Sequence, residues 1–124
     1  MLIGIIDYEM GNIGSICNML KYIGADHIVS KNYNDLRGCD KLILPGVGHF
    51  DLAMENLAKF DLDEMIIDLA TTKKMPLLGV CLGMQLLCDY SEEGNRTGLG
   101  LIKANVRKFV FPPESNLKVP HMGW

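Results

Sequence analysis

The sequence has no C-x-x-C pair, and its four cysteines, Cys17, Cys39, Cys81 and Cys88, show no framework-like clustering. That argues against both a structural zinc site and a disulfide scaffold, so a reduced, cytoplasmic protein is expected. No apolar run approaches the ~18 residues needed to span a bilayer. The apolar start, MLIGIIDYEMGN, lacks a positively charged leader, and Asp7 and Glu9 follow at once, so it reads as a first strand rather than a signal peptide. Positive charge is also scarce. Twelve Lys and Arg against 15 Asp and Glu leave a formal net charge of −3, without the basic footprint of a nucleic-acid-binding surface. No repeat, low-complexity tract or Gly/Ser linker divides the chain, and 124 residues suit one compact domain rather than two. A single domain over residues 1–124 is expected, with no metal or cofactor and neither membrane nor nucleic acid as partner.

Short apolar runs alternate with helical stretches. Leu2 to Ile6 is continuously apolar, as in a strand buried on both faces. Asn12 can cap a helix in which Ile13, Ile16, Cys17, Leu20 and Ile23 recur at helical spacing, and Gly24 supplies a stop. His27 to Ser30 and Lys41 to Leu44 read as further strands, the latter ended by Pro45-Gly46. Helical pieces are predicted over Phe50 to Ala58 and Leu62 to Thr72, a fourth strand over Leu77 to Val80, and another helix over Leu82 to Tyr90. Beyond that Gly94, Gly98 and Gly100 break the pattern, and Val106 to Val110 suggests one more strand. Strands separated by helices need crossovers, which give a parallel sheet with helices on both faces. The fold class is therefore α/β, a doubly wound and mostly parallel sheet.

Gly79-Val80-Cys81-Leu82-Gly83 lies between a predicted strand and a predicted helix. This is the G-x-nucleophile-x-G arrangement of a nucleophile elbow, with cysteine as the nucleophile. The turn needs strained geometry at its centre and small neighbours for close packing. It lifts the sulfur out at the carboxyl edge of the sheet, where α/β proteins bind ligands. A helix starting at Leu82 aims its dipole at the thiol, favouring thiolate. The Leu82 N–H, in the first turn, is free for an oxyanion. A lone cysteine is most often a small buried hydrophobe. Cys17, Cys39 and Cys88 keep that reading, and the elbow separates Cys81 from them. Pro45-Gly46-Val47-Gly48 also follows a strand. An isolated P-G-x-G is more often a tight turn, but beside an elbow it sits where a second oxyanion donor is drawn from an earlier loop.

Four segments then carry a resemblance. GVCLGMQLL (Gly79 to Leu87) and LPGVG (Leu44 to Gly48) resemble class I glutamine amidotransferases broadly. IDYEMGN (Ile6 to Asn12) and VPHMGW (Val119 to Trp124) are similar to the glutaminase subunits of imidazole glycerol phosphate synthase in particular. The resemblance runs from end to end. It implies that Cys81 attacks the side-chain amide of L-glutamine, that ammonia leaves, and that a glutamyl thioester is hydrolysed to glutamate. It further implies a heterodimer with a (β/α)8-barrel cyclase, which uses the ammonia in histidine biosynthesis. Val47, after loop rearrangement on partner binding, and Leu82 match the oxyanion donors. Gly46, Gly48 and Gln85 match glutamine-contacting positions, and His121, Met122 and Trp124 match a stretch lying against the partner.

The family's base is a histidine in a His-x-Glu pair beyond the segment matched by His121, and no His-x-Glu occurs in this sequence. The chain is thus expected to be a fragment or early-terminated frame, its sheet incomplete at the C-terminal side with an unpaired edge. Alone it is expected to be a poor glutaminase or none. His27, His49 and His121 are weak substitutes for the base, and Asp7 reads as structural, next to the Gly11 turn. Three other functions compete: ammonia supply to a sugar amidotransferase in surface polysaccharide synthesis, a non-catalytic module that occupies the cyclase, and a peptidase or chaperone sharing the elbow.

Overall fold

The computed structural model describes residues 1–120, so His121, Met122 and Trp124, expected to lie against a partner, fall outside the described residues. In chain order the elements are β1 (Leu2–Ile6), α1 (Ile13–Tyr22), β2 (Asp26–Ser30), α2 (Tyr33–Arg37), β3 (Lys41–Leu44), α3 (Phe50–Lys59), α4 (Leu62–Ile67), a π-helical turn (Asp68–Thr72), β4 (Leu77–Gly79), α5 (Leu82–Leu86), β5 (Cys88–Ser91) and β6 (Ile102–Val106). The first four strands form one parallel sheet in the order β2-β1-β3-β4. A separate pair, β5 and β6, is also parallel, with a bulge between Cys88 and Tyr90.

Helices cover both faces. Residues of alternate parity on β1 and β3 point to opposite sides. Ile3, Ile5 and Ile43 meet Leu20, Ile13, Ile16 and Cys17 of α1. On the other side Ile6, Leu42 and Leu44 join Leu36 of α2, Phe50, Ala53 and Leu57 of α3, Leu62 and Ile66 of α4 and Leu86 of α5. Each such aliphatic side chain, fully withdrawn from water, contributes roughly 1.5–3 kcal/mol. The α/β class, the parallel sheet and its first four strands thus match expectation. Ile23 does not join the core. It stands 62% exposed just past α1, where Gly24 turns the chain at φ +71°.

Three stretches differ from the expected pattern. Helix α2 is additional; Asn32 caps it by accepting from the Asn34 N–H at 2.8 Å, and its five residues are too few to show a period. The helix expected over Leu62 to Thr72 widens in its last turn, where the Lys73 N–H reaches back to the Asp68 carbonyl at 3.1 Å.

The helix expected to reach Tyr90 stops at Leu86, and β5 replaces its second half. The carbonyls of Leu86, Leu87, Cys88 and Asp89, which a continuing helix would offer to its own later amides, accept instead from Leu99, Ile102, Gly100 and Gly98 at 2.8–3.2 Å. Gly98 makes this approach possible, since a Cβ there would overlap the Cys88 carbonyl oxygen. The last strand accordingly lies at Ile102–Val106, opposite β5, rather than at Val106 to Val110. Its pairing ends at Val106 because β5 ends at Ser91.

Candidate active site

Three glycines bring the end of β3 against the elbow. A Cβ on Gly83 would overlap the Leu44 carbonyl oxygen, one on Gly79 would lie 2.5 Å from Met84 Cα, and one on Gly46 would lie 2.5 Å from the Gly83 N. Real Cβ atoms do not approach backbone so closely, so the Leu44–Gly46 segment and the start of α5 can touch only as bare backbone. The Val80 N–H donates to the Leu44 carbonyl at 3.0 Å, tying the turn to β3.

Cys81 is held at φ +54°, ψ −118°, a region that side-chain-bearing residues rarely occupy. It stands at the N-cap position of α5, exposed, and its carbonyl accepts from the Met84 and Gln85 amides at 3.0 and 3.3 Å. Cys17 is half-buried, and Cys39 and Cys88 are buried. Leu82 is buried, and among the described residues its N–H has no hydrogen-bond acceptor. The five-residue α5 is shorter than the helix expected to reach Tyr90, and its macrodipole is correspondingly smaller.

The Pro45–Gly48 loop is fastened to the β1–α1 connection. The Val47 N–H, expected as an oxyanion donor, donates to the Met10 carbonyl at 3.2 Å. The Tyr8 hydroxyl, fully buried, donates to the Pro45 carbonyl at 2.7 Å. A Cβ on Gly11 would lie 2.9 Å from the Pro45 ring, and Gly48 has φ +103°. Burial first, and then the charge of a Cys81 thiolate, push the Tyr8 phenol well above its ordinary range. Tyr8 therefore stays a neutral donor and cannot serve as the base. The Asp7 carboxylate accepts the Glu9 N–H at 3.1 Å, in the turn that leads to Gly11.

The two histidines among the described residues are used elsewhere. His49 caps α3, its Nδ1 accepting from the Asp51 N–H at 3.2 Å, and His27 Nδ1 lies 3.1 Å from the Ala25 carbonyl. Among the described residues no histidine or carboxylate is hydrogen-bonded to the Cys81 thiol, and no group of three or more His, Cys, Asp or Glu could hold a metal ion. Gln85, half-buried, lines a cleft of about 720 Å³ together with Ser91, Glu93, Arg107 and Phe109. Cys81 is not part of that lining. The Tyr8 and Met10 contacts went unassigned in the sequence, although both residues stand inside IDYEMGN.

Beyond the site itself, residues 10–116 match a known family. The chain belongs to the SNO glutamine amidotransferase family. Its relatives include the imidazole glycerol phosphate synthase subunit HisH of Leptospira borgpetersenii, 44% identical over 99% of this chain and 61% of the relative. That of Nostoc sp. (strain PCC 7120) is 46% identical over 99% and 57%, and HisH 2 of Methanococcus maripaludis is 48% identical over 99% and 60%. The chain thus spans about 60% of the length of these relatives. A crystal structure of a glutamine amidotransferase superposes with a TM-score of 0.70 at 20% identity, covering 85% of this chain and 55% of the other, which shows a shared fold. Among the described residues no helix is long and apolar enough to cross a membrane.

Proposed function

We propose that this chain carries the nucleophile of a glutaminase subunit of imidazole glycerol phosphate synthase. The observation that carries the reading is Cys81, exposed at a strained elbow with the Gly46–Val47 loop packed on the first turn of α5. The thiolate attacks the side-chain carbonyl carbon of L-glutamine, and the oxyanion that forms is met by the Leu82 N–H. The C–N bond then breaks, and ammonia leaves with the proton it has taken up. Water attacks the thioester, the C–S bond breaks, and glutamate and the free thiol result.

Gly46, Gly48 and Gln85 flank the glutamine in this reading. Val47 becomes a second oxyanion donor only when its N–H leaves the Met10 carbonyl, which requires the peptide between Gly46 and Val47 to rotate. The acid–base histidine comes from outside this sequence, which has no His-x-Glu. Ammonia passes to a (β/α)8-barrel cyclase held against His121, Met122 and Trp124 in a heterodimer. The HisH names of the relatives support this acceptor over a sugar amidotransferase.

A second reading, a module that binds the cyclase without catalysis, is favoured by the engaged Val47 amide and by the lack of a base at the thiol among the described residues. Treatment with a diazoketone analogue of glutamine, followed by peptide mass spectrometry, tests the first reading. Its expected outcome is one adduct at Cys81, lost in Cys81→Ser and retained in Cys17→Ser and Cys88→Ser. Equal labelling of all four cysteines would remove the assignment.

A further inference from the structure

The turn that follows β5 is gripped from a helix 40 residues earlier in the chain. Inside the turn, the Glu93 N–H donates to the Ser91 hydroxyl and the Gly94 N–H to the Ser91 carbonyl, both at 3.2 Å, with Ser91 fully buried. Just beyond it, the carboxylate of Asp51, in the first turn of α3, accepts the Asn95 N–H on both oxygens and the Arg96 N–H on one, all at 3.0 Å. Gly94 admits this approach, since a Cβ there would overlap the Asp51 carboxylate. An ion pair from Arg96 to Glu55, also on α3, adds a second tie at 3.1 Å, but both partners are half exposed and such pairs contribute little. Bonds from amides to a charged carboxylate are the stronger hold.

This clasp sets where Glu93 lies. Its Oε2 accepts the Phe50 N–H at 3.3 Å, next to Asp51 on α3, and Phe50 is itself fully buried in the core. Glu93 lines the cleft that Gln85 lines, and Arg107 belongs to the same lining. Among the described residues neither Glu93 nor Arg107 forms an ion pair. An α-amino acid carries an ammonium and a carboxylate, and a cleft with one unpaired acid and one unpaired guanidinium suits both. Helix α3 also begins directly after the Pro45–Gly48 loop, with His49 as its cap, so one turn of helix joins the glycine loop to the acidic wall of the cleft.

We propose that Asp51 is a positioning residue. By clasping the Asn95 and Arg96 amides it keeps the Glu93 carboxylate at the cleft, where that carboxylate meets the α-ammonium of the amino-acid substrate. The inference rests on the glutaminase reading and deepens it. Asp51 itself touches no substrate, and Cys81 is carried by the separate elbow of β4 and α5. Loss of Asp51 therefore frees Glu93 without disturbing the thiol.

The full 124-residue chain, treated with the diazoketone analogue of glutamine and separately with the same diazoketone lacking its α-amino group, supplies the test. Peptide mass spectrometry gives the ratio of the two labelling rates at Cys81, expected to favour the amino reagent. In Asp51→Ala the ratio should fall at least fivefold, while the rate with the amino-free reagent stays within twofold. Asp51→Asn, which keeps the size of the side chain, should move the ratio in the same direction and serves if Asp51→Ala does not fold. Glu93→Gln should lower the ratio at least as far, and adding Asp51→Ala to it should lower it no further. A ratio near one in the unaltered chain, a ratio untouched by both Asp51 variants, equal slowing of both reagents, or a further fall in the double variant would each overturn the proposal. No labelling of Cys81 by either reagent in the unaltered chain removes the glutaminase reading and this inference with it. Labelling that favours the amino reagent but ignores Asp51 removes this inference alone.

Discussion

The Tyr8 hydroxyl reaches across from the β1–α1 connection to the Pro45 carbonyl, 2.7 Å away and out of contact with water. It is one of two bonds that tie the glycine loop to that connection, the other being the Val47 N–H to the Met10 carbonyl. A buried carbonyl is satisfied by one bond and the candidate oxyanion amide is withheld by the other. The loop is therefore fixed at Pro45 while its next peptide can turn.

Removing only the hydroxyl tests the fixed end. Tyr8→Phe keeps the ring in the core and leaves the Pro45 carbonyl buried without its donor, which is expected to cost about 1–3 kcal/mol. A urea titration should show a lower midpoint with an unchanged slope. An unchanged midpoint would mean that water replaces the hydroxyl.

Backbone strain at the elbow predicts a substitution that stabilises. At φ +54°, ψ −118°, Cys81 occupies a conformation natural to glycine. Cys81→Gly should therefore raise stability by about 1 kcal/mol or more relative to Cys81→Ala, which keeps a Cβ while removing the same thiol. Thermal unfolding of the two variants gives the difference directly.

Glycines in two settings should respond oppositely to a methyl group. Gly14, inside α1 with nothing within 4 Å of a built Cβ, should tolerate alanine and gain about 0.5–1 kcal/mol. Gly46→Ala pushes a Cβ to 2.5 Å from the Gly83 N and 2.7 Å from the Tyr8 hydroxyl, and is expected to lose about 1–3 kcal/mol and slow the labelling of Cys81. Comparison of the two unfolding midpoints, with labelling rates at Cys81, checks both.

Acid should loosen the 94–96 loop through Asp51. The Asn95 and Arg96 amides donate to its carboxylate at 3.0 Å, and these bonds, the Asn95 one foremost, hold its pKa below the ordinary carboxylate value. A depressed folded-state pKa means that the contribution is complete above the unfolded value, about 3.9. It is lost as pH falls from there through the lower folded value. Proteolysis or amide exchange at Asn95 and Arg96 should therefore rise below about pH 4, where titration begins. In Asp51→Asn that acid-dependent rise should be largely absent.

How much was legible depends on where each signal sits. The runs Leu2–Ile6 and Lys41–Leu44 announce buried strands because a strand covered on both faces has no polar alternation, and the elbow is legible because the close approach admits only glycine at positions 79 and 83. Cys88–Ser91 was not legible. Its strand conformation comes from pairing with residues roughly nine to fifteen positions later, which no local period reports. The Tyr8 hydroxyl bond and the hold of Met10 on Val47 join segments 37 residues apart, and a motif can name the residues without giving the direction of a bond. The same is true of His49, whose nearness to the glycine loop invited a role as base and whose nitrogen instead caps a helix.

The capture of the Leu86–Asp89 carbonyls by Gly98–Ile102 has a further consequence. Residues 82–90 carry a helical pattern that the fold permits only as far as Leu86, so the segment is locally frustrated. Release of the later strand would let the helix behind Cys81 lengthen by a turn. The length of the helix behind Cys81 is thus limited from a distance, by the parallel β5–β6 pairing and the stretch of chain just before β6.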